Sequence, residues 1–204
     1  PGQIAAIILE PVGVVEPEDD FLLKVKTLAQ DHGAVLVFDE IVTGFRLALG
    51  GAQEYYGVVP DVVCLGKGVA NGLPISIVAG RKSVMQSFQD VFFSFTYGGE
   101  ALALAAATAT IDVMRGERVI EHIWRMGRKL KLGYATLTKR YDIPTVCMGL
   151  DPHFVFKFRD AEGNDDLLLK SLFLQETIKR GILTNTSIMI SYAHKEADIH
   201  RALQ

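Results

Sequence analysis

Ala34-Val35-Leu36-Val37-Phe38-Asp39-Glu40 is a short apolar run that stops on two acids. A continuous apolar run of this length reads as a strand buried on both faces, as in a parallel sheet. Upstream, Phe21, Leu22, Val25, Leu28 and Ala29 recur at the spacing of one helix face over 21–31, and Gly33 supplies the stop. Further upstream, Ile4 to Leu9 is a second apolar run, ending in Glu10-Pro11. Strand, helix and strand in this order predict neighbouring parallel strands.

Downstream, the stretch from Gly44 to Gly57 is glycine-rich and reads as a loop with a short helix. Val62 to Leu65 is a third short apolar strand, ending in Gly66-Lys67. The turn Asn71-Gly72-Leu73-Pro74 leads to a fourth, Ile75 to Ala79. Too little chain separates these two for a crossover helix, so the fourth strand is expected to be antiparallel. Leu102 to Met114 is an alanine-rich helix, and Arg118 to Lys139 a long amphipathic one. After Tyr141 the texture changes to a small α/β module. Its expected elements are a strand at His153 to Phe158, a helix from Asp165 to Arg180 stopped by Gly181, and a strand at Ile188 to Tyr192. The expected division is 1–115 and 116–204, with the boundary near Gly116. The fold class is α/β.

Composition narrows the function. The chain has 204 residues and a net charge of -3, with no basic block, so neither nucleic acid nor a membrane surface is an expected partner. No apolar run reaches the roughly 20 residues of a membrane span, and no signal peptide opens the chain. Cys64 and Cys147 lack metal-ligand spacing and form no disulfide framework. They read as reduced thiols of a cytoplasmic protein, and no metal site is expected. Pro1 leads straight into an apolar strand, which reads as a start inside a domain.

Asp39 and Lys67 each follow the C-terminal end of an apolar strand, the edge at which open α/β sheets bind ligands. Either residue alone is most often a turn residue or a solvated charge. Together they suit one chemistry. A lysine amine forms a Schiff base with a carbonyl cofactor, and pyridoxal 5'-phosphate (PLP) needs such a lysine plus an acid for its pyridine nitrogen. Gly66 and Gly68 let backbone come close to a cofactor.

Phe38-Asp39-Glu40-Ile41-Val42-Thr43-Gly44-Phe45-Arg46 resembles the Asp-Glu-Val-x-Thr-Gly-Phe-Arg signature of class III aminotransferases. Val59-Pro60-Asp61-Val62-Val63-Cys64-Leu65-Gly66-Lys67-Gly68, followed by Gly72-Leu73-Pro74, resembles their lysine segment. The stretch from Leu47 to Val58 is similar to glutamate-1-semialdehyde 2,1-aminomutases in particular. The resemblance implies a PLP-dependent transferase of the aspartate-aminotransferase-like fold, fold type I. The chain would then hold the C-terminal half of a mainly parallel large-domain sheet and a small C-terminal domain. The N-terminal half would be missing, and with it the main phosphate-binding turn and the aromatic that stacks on the ring.

The resemblance also implies roles. Lys67 matches the Schiff-base lysine that shuttles the proton, Asp39 the partner of the pyridinium, and Ile41 the branched residue on the ring face. Thr96, in Ser94-Phe95-Thr96-Tyr97-Gly98-Gly99, matches a threonine that reaches the phosphate of the neighbouring subunit, so a homodimer with a shared active site is expected. Glu10 and Glu40 match acids that line or support the site. Two positions depart from the pattern. Val42 stands where many members have a glutamine on the ring hydroxyl, and Gly98-Gly99-Glu100-Ala101 replaces the aminomutases' Ser-Gly-Asn-Pro. The implied activity is transfer of an amino group between small molecules, or its 2,1-migration within one. A class III decarboxylase or racemase would use the same Lys67 and Asp39, and a catalytically silent fragment is the remaining alternative.

Overall fold

The structure is a computed structural model that describes residues 2–204. Pro1, read above as an internal start, lies outside the described residues. In chain order the elements are β1 (Ala6–Leu9), α1 (Phe21–Asp31), β2 (Val35–Asp39), α2 (Ala52–Tyr55), β3 (Val62–Leu65), β4 (Ile77–Gly80), α3 (Lys82–Met85), α4 (Ala101–Gly116), α5 (Val119–Arg140), β5 (Thr145–Leu150), β6 (His153–Phe158), α6 (Leu167–Lys179), β7 (Ser187–Met189) and α7 (Glu196–Ala202). The chain divides into two compact units between residues 120 and 121, with residues 13–16 belonging to the second.

The first unit is built on a four-stranded sheet in the order β1-β2-β3-β4. β1, β2 and β3 are parallel, with Leu9 opposite Phe38, Phe38 opposite Val63 and Asp39 opposite Cys64. β4 returns antiparallel on β3, as the short connection requires. It begins at Ile77 rather than Ile75 and extends to Gly80. A Cβ at Gly80 would lie 2.5 Å from the carbonyl oxygen of Asp61, so that end of the pairing needs glycine. Helix α1 closes at His32, whose N–H donates to Leu28, and Gly33 turns left-handed at φ 68°. The core of this layer is Leu22 and Ala29 of α1, Leu36 and Phe38 of β2, and Val58. Leu36 and Phe38 face this core and are buried, while Val35 and Val37 on the other face are half-buried.

The second unit has a three-stranded antiparallel sheet, β5-β6-β7. Strand β5 was not expected from the sequence. It forms a hairpin with β6 through Asp151-Pro152, since Leu150 pairs with His153. Arg128 and Lys131 of α5 hold Asp151 at 3.1 Å each, and Gly127 lacks the Cβ that would strike the Asp151 carbonyl. Tyr134 of α5 stacks on Phe156 at 3.8 Å. The last strand is shorter than the expected Ile188 to Tyr192. β6 begins at His153, so beyond Met189 the partner would be Pro152, which has no N–H to give. The short helix α7 was also not anticipated, because its seven residues are mostly polar.

Phe38 is fully buried between α1 and the sheet. Truncating it leaves a cavity in a layer that cannot collapse around it. Phe38→Ala should cost about 3–5 kcal/mol, read as a lower midpoint in urea unfolding of the full-length protein. A loss below about 1 kcal/mol would show that the β2–α1 layer repacks.

Candidate active site

The site is assembled where β2 and β3 end. Asp39 is the last residue of β2 and sits opposite Cys64 in the parallel ladder. The Glu40 N–H then donates to the Cys64 carbonyl at 2.9 Å, extending the pairing one step past the strand. Two residues beyond Cys64 the chain enters a turn at Gly66 and presents Lys67. Asp39 and Lys67 therefore leave adjacent strands at the same edge of the sheet, as expected. Glu10 follows β1 at that edge too, one residue past the Leu9–Phe38 pair, and is exposed.

The Asp39 carboxylate is half-buried and oriented by its own turn. Its Oδ1 accepts from the Ile41 N–H at 3.0 Å. Burial pushes the Cys64 thiol up, and the neighbouring Asp39 charge pushes it further in the same direction. Ile41 is packed over the lysine segment: a Cβ on Gly66 would sit 3.6 Å from Ile41 Cγ2.

Lys67 is exposed, and its backbone is left-handed at φ 43°. For a residue with a Cβ this conformation costs about 1–2 kcal/mol. The next residues hold it in place. Val69 and Ala70 are buried against Ala107 of α4, with Phe45, Leu73, Ile75 and Ile77 packed around them. An amine carried on a strained turn, anchored by core residues directly after it, is the kind of feature that collects at functional sites. The strain could not be read from the sequence, where Gly66 and Gly68 only suggested a backbone that approaches a cofactor closely.

The loop between the two motifs is tied down from inside. Glu40 is fully buried, and its carboxylate accepts from the Thr43 hydroxyl at 2.9 Å and from the Ala52 and Gln53 N–H groups at 2.5 and 3.0 Å. Gly44 has no space for a side chain, because a Cβ there would lie 2.6 Å from Leu65 and 2.7 Å from the Glu40 carbonyl.

Thr96 lies elsewhere. It sits in an exposed turn in which Gly98 N–H donates to Phe95, and it lines a cleft of about 730 Å³ with Pro74 to Val78, Glu100 and Ala103. That cleft contains neither Asp39 nor Lys67. Glu100, at the departure from the aminomutase pattern, acts locally. Its two carboxylate oxygens accept from Leu102 and Ala103 and cap α4. The larger cavity of the second unit, about 770 Å³, holds none of the expected site residues. No cluster of metal ligands occurs among the described residues.

The chain is similar to several known proteins over nearly its whole length. The chain is 37% identical over 216 aligned residues to glutamate-1-semialdehyde 2,1-aminomutase of Alkaliphilus oremlandii, covering 98% of this chain and 51% of that protein. It is 35% identical to the enzyme of the same name from Acetivibrio thermocellus, covering 100% of this chain and 51% of that one. The chain thus spans about half the length of these relatives. Among solved structures, the FumI protein of Sphingopyxis sp. MTA144 in its PLP internal aldimine form superposes with a TM-score of 0.91 at 25% identity, covering 99% of this chain and 50% of that one. A thermostable (S)-enantioselective omega-transaminase from Thermomicrobium roseum gives 0.85 at 23% identity, covering 97% and 48%. The fold is that of the fold type I transaminases. With the class-III aminotransferase family model matching residues 1–189 and the family's two motifs meeting at one sheet edge, the chain belongs to the class III aminotransferases.

Proposed function

We propose that the protein is a PLP-dependent aminotransferase or 2,1-aminomutase, and that this chain supplies the lysine and the aspartate of its cofactor site. The observation that carries the reading is the pairing of β2 with β3, which brings Asp39 and the Lys67 segment to one edge. The residues present fit the group. An exposed amine suits its carbonyl, a half-buried oriented carboxylate suits a protonated ring nitrogen, and a branched side chain at Ile41 suits a flat ring.

Bound PLP supplies a carbonyl that condenses with an amine and a ring that takes up electron density from the substrate carbon. Lys67 would provide that amine, and its Nζ would hold and move a proton at the substrate carbon. The Asp39 carboxylate would hold the proton of the ring nitrogen. The Ile41 N–H fixes the carboxylate's plane, so the acid is already oriented for that partner. Ile41 would pack against the flat ring and shield it from water. The relatives' aminomutase names support a small-molecule substrate that both gives and receives an amino group. The free thiols of Cys64 and Cys147 support a reducing, cytoplasmic setting.

The same reading makes the enzyme a homodimer with shared sites, Thr96 serving the partner's cofactor. Three features support it. Thr96 stands in an exposed turn, its cleft excludes the chain's own Asp39 and Lys67, and the flanking Phe92, Phe95 and Tyr97 are 96%, 64% and 71% exposed. Aromatic surface of that extent next to a polar turn is typical of a covered interface.

Three outcomes are expected. In the full-length enzyme Lys67→Ala removes borohydride-trappable PLP and nearly all turnover; label fixed on another lysine would displace Lys67 from its role. In the cofactor-free protein Asp39→Asn lowers the Cys64 thiol toward its ordinary value, because one of the two upward pushes is gone. More thiolate is then present at pH 8, and iodoacetamide labels Cys64 faster; an unchanged rate would mean that Asp39 carries no charge at the strand ends. Finally, full-length Lys67→Ala subunits mixed with full-length Thr96→Ala subunits should regain activity. One hybrid site takes both lesions and the other takes neither. No recovery in subunits shown to exchange would place Thr96 outside the partner's site.

A further inference from the structure

We propose that Glu40 is a positioning residue, whose buried carboxylate locks the turn from Asp39 to Thr43 and so sets the direction in which Asp39 points. The inference rests on the reading of Asp39 as the partner of the cofactor ring. It gives a role to the one charged side chain of the described residues that is fully buried and that the proposed chemistry leaves idle.

A carboxylate taken out of water is costly unless its oxygens are fully engaged. Glu40 meets that demand with groups from two directions. Oε2 accepts from the Thr43 hydroxyl and the Ala52 N–H, and Oε1 accepts from the N–H and the side-chain amide of Gln53 at 3.0 and 3.3 Å. Its main chain is engaged as well, the N–H donating to Cys64 of β3 and the carbonyl accepting from Gly44 at 2.8 Å. One residue thus fastens the end of β2 to β3 on one side and to the start of α2 on the other. Gly51, at φ 79°, is confined to glycine because a Cβ there would run into the Glu40 carboxylate.

Ile41 lies inside this frame, between Glu40 and Thr43. Its N–H is the donor that orients the Asp39 carboxylate, and its side chain rests over Gly66. Glu40 closes the turn twice, through its own carbonyl to Gly44 and through its carboxylate to Thr43. If the carboxylate is lost, the Ile41 N–H is free to turn away, and Asp39 loses the bond that fixes its plane. Glutamine in its place has the same size. It replaces one accepting oxygen by an NH2 that faces donors, so at least one of the pairs must open.

A simple scaffold role predicts something different. A residue that only closes the loop should lower stability and leave the cofactor's affinity dependent on Asp39 as before. The two are separated by a double-mutant cycle read by equilibrium binding of PLP to the cofactor-free full-length protein, well below its unfolding temperature. Glu40→Gln should weaken PLP binding about tenfold when Asp39 is present and by less than about twofold in an Asp39→Asn background, because the lost contribution passes through Asp39. Thr43→Val removes a single donor to Oε2 and should show the same dependence at smaller size. It carries the test if Glu40→Gln does not fold. Equal losses in both backgrounds, or a lowered Tm with unchanged PLP affinity, would overturn the inference while leaving Asp39 in its role. If Asp39→Asn alone leaves PLP affinity at the unmutated level, the assignment of Asp39 fails, and the role given to Glu40 fails with it.

Discussion

The parallel pairing of β2 with β3 is the constraint on which the site depends, because it decides which residues emerge side by side. Phe38 opposite Val63 and Asp39 opposite Cys64 fix the register, and the bond from Glu40 N–H to the Cys64 carbonyl carries it one residue beyond the strand. A slip of one position would turn Asp39 to the other face of the sheet, since side chains alternate along a strand. Register is held by burial. Leu36 and Phe38 pack in one core with Leu22 and Ala29 of α1, and a one-residue slip would take both out of it.

Around that pairing the protein accepts several local costs. A lysine is held in a left-handed conformation, a glutamate is buried without water, and glycines are required at Gly44 and Gly51. Each is offset nearby. Val69 and Ala70 anchor the lysine turn in the core, and four donors surround the glutamate. All these unfavourable choices fall within the two family motifs or the loop joining them. Rigid placement of Asp39 and Ile41, and an amine presented toward solvent, are what the proposed cofactor site would ask of this sheet edge.

Much of the fold was legible because it follows from patterns short in range. The unbroken apolar runs at 35–38 and 62–65 signal interior strands of a parallel sheet, the 21–31 periodicity signals the covering helix, and the brief link from Lys67 to Ile77 leaves only an antiparallel return. β5 escaped notice since Cys147, Met148 and Gly149 give neither alternation nor a clean apolar run. It exists because β6 offers it a ladder and α5 grips the hairpin turn. Strand β7 stops early for a reason located in its partner, the proline at 152.

By itself the sequence determined the α/β class, the parallel order of the first strands and the placement of Asp39 and Lys67 at the ends of two of them. These follow from hydrophobic period, connection length and side-chain chemistry, all local properties of the chain. Only the tertiary structure decided that Glu40 is buried and closes the turn on Asp39, that Lys67 is strained, and that Thr96 lines a cleft apart from both. An acid after a strand looks the same in sequence whether it meets water or the amides of a helix twelve residues further on. The difference is made by long-range hydrogen bonds and packing, which exist only once the chain has closed on itself.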